Sequence, residues 1–251
     1  MPHGTPDWGL QQPQAVAYDL MDLSELVARL GSCNVWDRQG TTLFETKFDE
    51  GMGEVDTGFS GTTAAHDLMT GYSRQGAYCM KLTPGNDDEH WADVSKLLCV
   101  QLPSRFGLEI AFSVEANTES WELRIEWSDA TQEWQGTLRY MHGTGNIDVI
   151  DNTGVVFTLA TIGLLFDDDR VQYKMKLVID AVTGEYVRAI VNDTVYPSSL
   201  MLPPPAGPGP GLVDPGAPAF TGLALYIRHT GVIAFNPEAY LDCIIVTQQE
   251  P

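Results

Sequence analysis

At 251 residues, the chain is long enough for one large β-domain, and its 43% apolar content provides a substantial core and excludes wholesale disorder. The 34 acidic and 14 basic side chains give a formal net charge of −20, which argues against binding the phosphate backbone of nucleic acid or an anionic membrane surface. Such a charge is typical of a soluble, self-repelling surface, and attraction to a basic partner or a cation is the alternative.

Membrane and secretion signals are not evident in the sequence. It contains no run of about 18 apolar residues, so no membrane-spanning segment is expected. Residues 1–14 lack the basic and apolar regions of a signal peptide, so no secretory leader is expected. Of the four cysteines, Cys33, Cys79, Cys99 and Cys243, the last three lie in apolar runs and are predicted to be small core residues. A reducing compartment is the simpler expectation, and one disulfide is the alternative.

Residues 1–35 are predicted to form an extended arm followed by a short helix. Residues 1–17 are polar and contain three prolines, Asp22 and Glu25 form a capping box, and Gly31 stands where a helix-ending glycine belongs. A helix of about nine residues is too short to be stable alone in water, so we expect this segment to dock on the main domain or on another subunit. The apolar stripe of the helix and two nearby tryptophans are the candidate partner-binding residues: Trp8, Leu23, Leu26, Val27, Leu30 and Trp36.

Residues 36–251 are predicted to form a β-sandwich domain, because strands recur at about ten-residue spacing. The predicted strands cover residues 42–48, 77–82, 92–100, 106–114, 121–127, 134–140, 146–151, 155–159, 171–180, 186–191, 221–229 and 240–247. Residues 56–71 are rich in threonine and glycine without clear periodicity and are predicted to be a long loop. Residues 203–219, with seven prolines and four glycines, are predicted to be a contact loop inserted into the same domain.

The strand–turn–strand unit at residues 171–191 carries the strongest local pattern. Alternate residues from Tyr173 to Ile179 are apolar, which predicts a strand with one face on a core. Asp180 supplies turn chemistry and Gly184 is free to adopt a positive φ, so a tight return of the chain is expected there.

An early strand with the spacing Gly-x-Tyr-x-x-x-Leu at residues 76–82, the hairpin at 173–184 and the closing strand at 240–246 occur in a characteristic order. Together they resemble the concanavalin A-like jelly rolls, a superfamily that includes laminin G-type modules, legume-type lectins and several glucanases. The resemblance covers about residues 43–248 and implies an all-β, two-sheet antiparallel jelly-roll sandwich, with little information about chemistry.

The segment from Glu122 to Glu126 resembles the Glu-x-Asp-x-Glu strand of the laminarinase-type glucanases in that superfamily. The resemblance would make Glu122 the nucleophile and Glu126 the general acid. Arg124 stands where those enzymes have a carboxylate, and its guanidinium is expected to pair with both glutamates and to lower the pKa of the acid. We therefore favour a solvated, ion-paired strand face and expect no catalytic activity.

Aromatic and acidic groups offer further candidates for ligand binding. A sugar platform could use Trp91, Trp121, Trp127, Trp134 and Tyr140, but Trp121 and Trp127 alternate with the charged residues and are expected in the core. The acidic clusters at 86–89 and 167–169 are expected to be solvated carboxylates, with bound Ca²⁺ as the alternative, and no cofactor is expected.

The features together favour a non-catalytic structural protein of a large assembly: a phage virion protein that decorates a capsid or associates with a tail. Its partners would be further copies of the chain or a capsid or tail protein, and its location would be the virion. The acidic sandwich, the dependent arm and the proline-rich loop motivate this hypothesis. A lectin-like carbohydrate-binding module and a glucanase-like hydrolase are the alternatives.

Overall fold

The computed structural model describes residues 40–73, 77–85, 90–100, 102–129, 133–151, 153–200, 221–232, 235 and 237–251. All of them belong to one compact unit of the chain, Gln39–Pro251. Within these ranges the chain forms fifteen strands and no helix, so no helix there could cross a membrane. The predicted helix and arm, and the loop at 203–219, lie outside the described residues.

The strands alternate with short connections along the whole described part of the chain. In chain order they are β1 (Thr41–Thr46), β2 (Asp56–Ser60), β3 (Ala65–Met69), β4 (Cys79–Thr83), β5 (Trp91–Leu98), β6 (Arg105–Val114), β7 (Thr118–Ser128), β8 (Glu133–Met141), β9 (Asn146–Ile150), β10 (Val156–Thr161), β11 (Asp168–Asp180), β12 (Glu185–Val191), β13 (Thr194–Pro197), β14 (Gly222–Gly231) and β15 (Ala239–Gln248).

Two antiparallel sheets form the two layers of a sandwich. The first has eight strands in the order β13-β12-β11-β6-β15-β4-β3, with β1 also paired to β15, and the second has seven in the order β10-β9-β8-β7-β14-β5-β2. Central strands of both sheets come from distant parts of the sequence, since β6 and β7 lie beside β15 and β14. The predicted all-β, two-sheet architecture is confirmed.

The core lies between the sheets and is built from every second residue of the central strands. Trp121 on β7 is fully buried against Phe112 on β6, with ring centroids 5.2 Å apart, and its indole N–H donates to the carbonyl of Ser113 at 3.1 Å. Burial of each such side chain contributes about 1.5–3 kcal/mol, so this layer is a main source of stability. The core-facing residues of β7 are Trp121, Leu123, Ile125 and Trp127, as the alternation predicted.

The hairpin between β11 and β12 is also confirmed. The Oδ1 atom of Asp180 accepts from the backbone N–H groups of Val182 and Thr183 at 2.8 and 3.2 Å, and Gly184 has a φ of 72°. A Cβ atom at Gly184 would also lie 2.7 Å from the ring of Trp134, which is on β8 of the other sheet. This glycine therefore permits the turn and leaves room for that ring.

Two predictions about local structure are wrong. Residues 56–71 are not one long loop, because they contain β2 and β3, which pair with β5 and β4. These short edge strands are only partly buried, so their sequences lack the alternation by which a half-buried strand is recognised. Cys99 is exposed because it follows the end of β5, whereas Cys79 and Cys243 are buried as expected.

Candidate functional site

The outer face of the seven-stranded sheet carries a compact group of charged and aromatic side chains. Because Trp121 and its alternate neighbours point into the core, Glu122, Arg124 and Glu126 project from the opposite face of β7. We call the group around them the β7 face, which comprises Trp91, Asp93, Glu122, Arg124, Glu126, Gln135, Arg139, Asp148, Tyr226 and Arg228. Long side chains on adjacent strands surround these charges. Arg124 is therefore only 4% exposed, and the solvated face expected from the sequence is not what the fold produces.

Charges alternate in sign along one row of the β7 face. The strand registers align Asp148, Arg139, Glu122, Arg228 and Asp93 across β9, β8, β7, β14 and β5. Arg139 donates from Nε and Nη2 to Oε2 of Glu122 at 3.0 and 2.7 Å, and Arg228 donates from Nη2 to Oδ2 of Asp93 at 3.0 Å. These charge-assisted bonds hold donors and acceptors in fixed orientations before any ligand arrives.

Both ends of this row are held by neighbouring strands. The hydroxyl of Thr158 on β10 donates to Oδ1 of Asp148 at 2.6 Å. At the other end, a Cβ atom at Gly58 on β2 would lie 2.6 Å from Oδ1 of Asp93, so only glycine leaves room for that carboxylate. The row therefore spans the sheet with its terminal carboxylates positioned by β10 and β2.

Aromatic rings flank the arginines. The guanidinium of Arg228 lies 3.9 Å from the centre of the Trp91 ring, which is cation–π geometry. The guanidinium of Arg124 lies 6.0 Å from the Tyr226 ring. Both rings are partly exposed, and burial raises the pKa of Tyr226, so its phenol stays neutral. The face thus combines apolar ring surface with polar groups of both signs.

Arg124 and Glu126 lie on β7 beside Gln135, which is opposite Glu126 on β8. When the Gln135 amide is assigned with its oxygen toward Arg124, as its surroundings favour, that oxygen accepts from Nη2 and Nε at 2.8 and 2.9 Å. Nε also lies 3.3 Å from Oε1 of Glu126. Among the described residues, neither Nη1 of Arg124 nor Oε1 of Glu126 has a hydrogen-bond partner, although both atoms are buried. Buried polar atoms are nearly always paired, so this donor and this acceptor are an exception on the β7 face.

Burial raises the pKa of Glu126 by more than the charge of Arg124 lowers it, and the charge of Glu133 raises it further. The expected lowering is therefore wrong, because one imperfectly aligned ion pair does not offset the loss of water around the carboxylate. The expected pairing of Arg124 with both glutamates is also wrong, since Glu122 is held by Arg139.

Glu122 and Glu126 are held by different partners on the β7 face. Arg139 donates two bonds to Glu122, and Nε of Arg124 lies 3.3 Å from Oε1 of Glu126. A retaining glycosidase needs its two carboxyl groups about 5–5.5 Å apart. The bonds from Arg139 hold the Glu122 side chain, so they oppose its leaning toward Glu126, which the catalytic alternative requires.

Comparison with solved structures places the fold. A sialidase aligns with a TM-score of 0.54 and 9% identity over 84% of this chain and 19% of that chain. The cellulose-induced protein Cip1 aligns with the same score and 11% identity over 81% of this chain and 96% of that chain. The chain has a concanavalin A-like jelly-roll fold. At these identities the similarity establishes the jelly roll and not its ligand.

Further comparisons add little. A Bacillus licheniformis beta-glucanase superimposes on the jelly roll with a TM-score of 0.46 and 10% identity, covering 83% of this chain and 99% of that chain. The chain spans about a fifth of the sialidase it matches. No protein-family model and no curated protein matches it.

Most aromatic residues of the predicted sugar platform do not lie on the β7 face. Trp121, Trp127 and Tyr140 are fully buried, and Trp134 packs against the core, so only Trp91 of the proposed aromatic platform belongs to the β7 face. The β7 face adds Tyr226, which sequence reasoning did not single out. Its position opposite Arg124 depends on the register between β14 and β7.

The remaining candidates lie away from the β7 face. Asp167 pairs with His142 at 2.8 Å, and the described residues contain no group of three potential metal ligands, while residues 86–89 lie outside them. The alternative of a Ca²⁺ ion at residues 86–89 is therefore not tested. The partner-binding candidates, Trp8, Leu23, Leu26, Val27, Leu30 and Trp36, also lie outside the described residues, so assembly through the N-terminal segment stays a prediction as well.

Proposed function

We propose that this protein binds a neutral carbohydrate on the β7 face without cleaving it. The observation that carries the proposal is the partly exposed Trp91 ring against the guanidinium of Arg228, beside a fixed row of charged donors and acceptors. A sugar hydroxyl both donates and accepts a hydrogen bond, so it can bond to groups of either sign in such a row.

Charge balance supports a neutral ligand over an anionic one. The β7 face has four carboxylates, on Asp93, Glu122, Glu126 and Asp148, against the three guanidinium groups of Arg124, Arg139 and Arg228. The whole chain, including this face, has a formal net charge of −20, which repels anions at longer range. A nucleic acid or polyanionic ligand is therefore disfavoured both locally and globally.

The aromatic rings support a ligand with apolar as well as polar surface. Trp91 and Tyr226 are partly exposed beside the arginines, and a pyranose ring presents C–H groups that can lie against an aromatic face. Ligand sites of this kind combine hydrophobic and aromatic surface with a few positioned polar groups. The β7 face has this composition, with its polar groups already oriented by one another.

Binding can be tested by calorimetric titration with neutral oligosaccharides of glucose, mannose, galactose and xylose. We expect saturable binding of at least one of them. Replacing Trp91 by alanine removes ring surface and releases Arg228, so the affinity should fall at least about tenfold, equivalent to about 1.4 kcal/mol. Phe166→Ala is the matched control, because Phe166 is an exposed aromatic between β10 and β11 and outside the β7 face. Its affinity should equal that of the wild type.

The result that contradicts the proposal is the absence of binding to the whole panel by wild-type protein whose fold is intact. Equal loss of affinity in Trp91→Ala and Phe166→Ala would also contradict the assignment to this face. Release of reducing ends from a bound oligosaccharide would show cleavage and overturn the non-catalytic part of the proposal.

A further inference from the structure

We infer that two copies of this chain associate through the outer edge of β10, by antiparallel pairing about a twofold axis at Phe157. The strand β10 ends the seven-stranded sheet and, among the described strands, pairs only with β9. A strand at the edge of a sheet presents a row of backbone N–H and C=O groups with which a further strand can pair. This contact does not depend on carbohydrate binding.

The edge formed by β10 carries no charge. Residues 152–166 contain no charged side chain, in a chain with 34 acidic and 14 basic residues. Natural sheets protect their edges with charged residues or proline, which oppose pairing with a second copy of the same strand. The other edge strands in the described part of the chain each have such a residue: Glu45 on β1, Asp56 on β2, Asp67 on β3 and Pro197 on β13.

Large apolar side chains are exposed at this edge. Val155, Val156 and Phe157 are 58, 50 and 48% exposed. Phe157 lies opposite Val149, a buried core residue on β9, so its ring extends the core-facing side of the sheet beyond the last strand. An apolar, β-branched and aromatic segment that is uncharged is suited to contact with another strand.

Hydrogen bonds in the hairpin between β9 and β10 show which backbone groups face outward. The backbone N–H of Asp151 donates to the carbonyl of Val155, and the N–H of Val155 donates to Oδ1 of Asp151, both at 3.0 Å. Val155 therefore directs its backbone groups toward β9. Phe157 does the same, because every second residue of an antiparallel pair does so. Val156 and Thr158 consequently direct their N–H and C=O groups toward the outer edge.

These outward groups select the register of the pair. Regular pairing with β9 is limited by the positive φ of Gly154 on one side and by the bulge between Thr158 and Ala160 on the other. Within this segment, Val156 of each copy can exchange both N–H···O bonds with Thr158 of the other. Phe157 then faces Phe157 of the second copy in a non-hydrogen-bonded pair, with Cα atoms about 4.5 Å apart. Aromatic pairs in this position stabilise sheets.

The net charge of −20 does not oppose contact at this edge. In this register, residues 153–161 of one copy lie against residues 161–153 of the other, and all of them are uncharged. Asp148 on β9 would be at least three strand spacings, or about 14 Å, from Asp148 of the second copy. This distance exceeds the Debye length of about 8 Å at physiological ionic strength, so the repulsion is largely screened.

The contact produces a closed dimer. Each copy has one β10 and the axis makes the interface self-complementary, so association through this edge stops at two chains. Because side chains opposite one another in the pair point to the same face, both β7 faces lie on the same side of one continuous sheet. One strand pair is at the small end of specific interfaces, so we expect a dissociation constant in the micromolar range.

The experiment measures the association of the full chain by sedimentation velocity over protein concentrations from about 1 to 300 μM. We expect the wild type to change from one chain per particle to two across this range. Phe157→Lys would place two ammonium groups against each other across the axis and should weaken association at least tenfold. Phe157 is half exposed, so the variant should fold, which urea unfolding checks.

Three further samples test the register and the edge. An equimolar mixture of Phe157→Lys and Phe157→Glu should associate again, because opposite charges meet only if position 157 faces itself. Val156→Pro removes an outward N–H while leaving the bonds to β9, so it should also weaken association. Phe59→Lys is the matched control, because Phe59 is a 57% exposed aromatic on β2, at the opposite edge of the same sheet. It should associate like the wild type.

Each outcome bears on one part of the inference. A wild type with intact fold that stays a single chain up to 300 μM overturns the dimer. An unchanged number of chains per particle in Phe157→Lys assigns association to another surface and overturns the role of β10. Loss in both charged variants without recovery in their mixture overturns the axis at Phe157. A dimer that binds no sugar contradicts the proposed function alone and leaves this contact standing.

Discussion

The bond between Arg139 and Glu122 offers a direct measure of how firmly the β7 face is organised. Arg139→Leu would leave Glu122, which is 7% exposed, as a buried anion without the two bonds at 2.7 and 3.0 Å that it now accepts. Removing one partner of a fully buried ion pair costs about 3–5 kcal/mol. The Arg139 side chain is 31% exposed, so water screens part of this cost and we expect about 2 kcal/mol.

A double-mutant cycle isolates the interaction between these two side chains. Urea unfolding would be measured for the wild type, Arg139→Leu, Glu122→Leu and the double variant. The double variant should be more stable than the sum of the single changes implies, because no buried charge is left unpaired, and the coupling should be about 2 kcal/mol.

The control for this cycle is a surface ion pair with one fully exposed partner. Lys174 and Asp193 are 3.1 Å apart, but the Asp193 side chain is 93% exposed, so Asp193→Asn should change stability by less than about 0.5 kcal/mol. A coupling below about 0.5 kcal/mol for Arg139 and Glu122 would refute the reasoning that the row is rigid before ligand binding.

Three further predictions concern the rest of the chain. Gly184→Ala should cost at least about 2 kcal/mol in unfolding free energy, more than Gly154→Ala. Both glycines have a positive φ, but only at Gly184 would a Cβ atom clash with the Trp134 ring. Equal costs for the two variants would contradict the predicted clash. Burial lowers the pKa of His229 to about 3, so the folded protein keeps this side chain uncharged while the unfolded chain takes up a proton. As the pH falls from 7 to 5, the wild type should therefore lose stability by up to about 1.4 kcal/mol per pH unit relative to His229→Gln. Parallel plots of unfolding free energy against pH for the two proteins would show that His229 is not buried uncharged. Deleting residues 1–35 should reduce the number of chains per particle in analytical ultracentrifugation if that segment mediates assembly, and an unchanged number would exclude that role.

Local patterns predicted the elements whose core side chains alternate. The strands β6, β7, β8 and β11 fall within a few residues of their predicted positions, because a half-buried strand must place every second side chain in the core. The same rule put Trp121 and Trp127 in the interior and so removed them from the aromatic platform. The return at Gly184 followed from turn chemistry confined to a few neighbouring residues.

Edge strands and exposure at strand ends could not be read in the same way. The strands β2 and β3 are held by pairing with β5 and β4, and their own sequences show little alternation. Cys99 looked like a core residue in an apolar run, but the strand ends one residue before it. Pairing between strands, which the sequence of one segment does not show, decides where these edge strands form.

The candidate site shows the same division. The sequence alone determined that Glu122, Arg124 and Glu126 share the face opposite the tryptophans, because side chains alternate along a strand. Only the tertiary structure decided their partners and environment. Strand registers bring Arg139 and Arg228 to either side of Glu122, and surrounding side chains bury Glu126 enough to reverse the expected shift of its pKa. Alternation is a property of one strand, whereas register and burial depend on the strands that pair with it and pack around it.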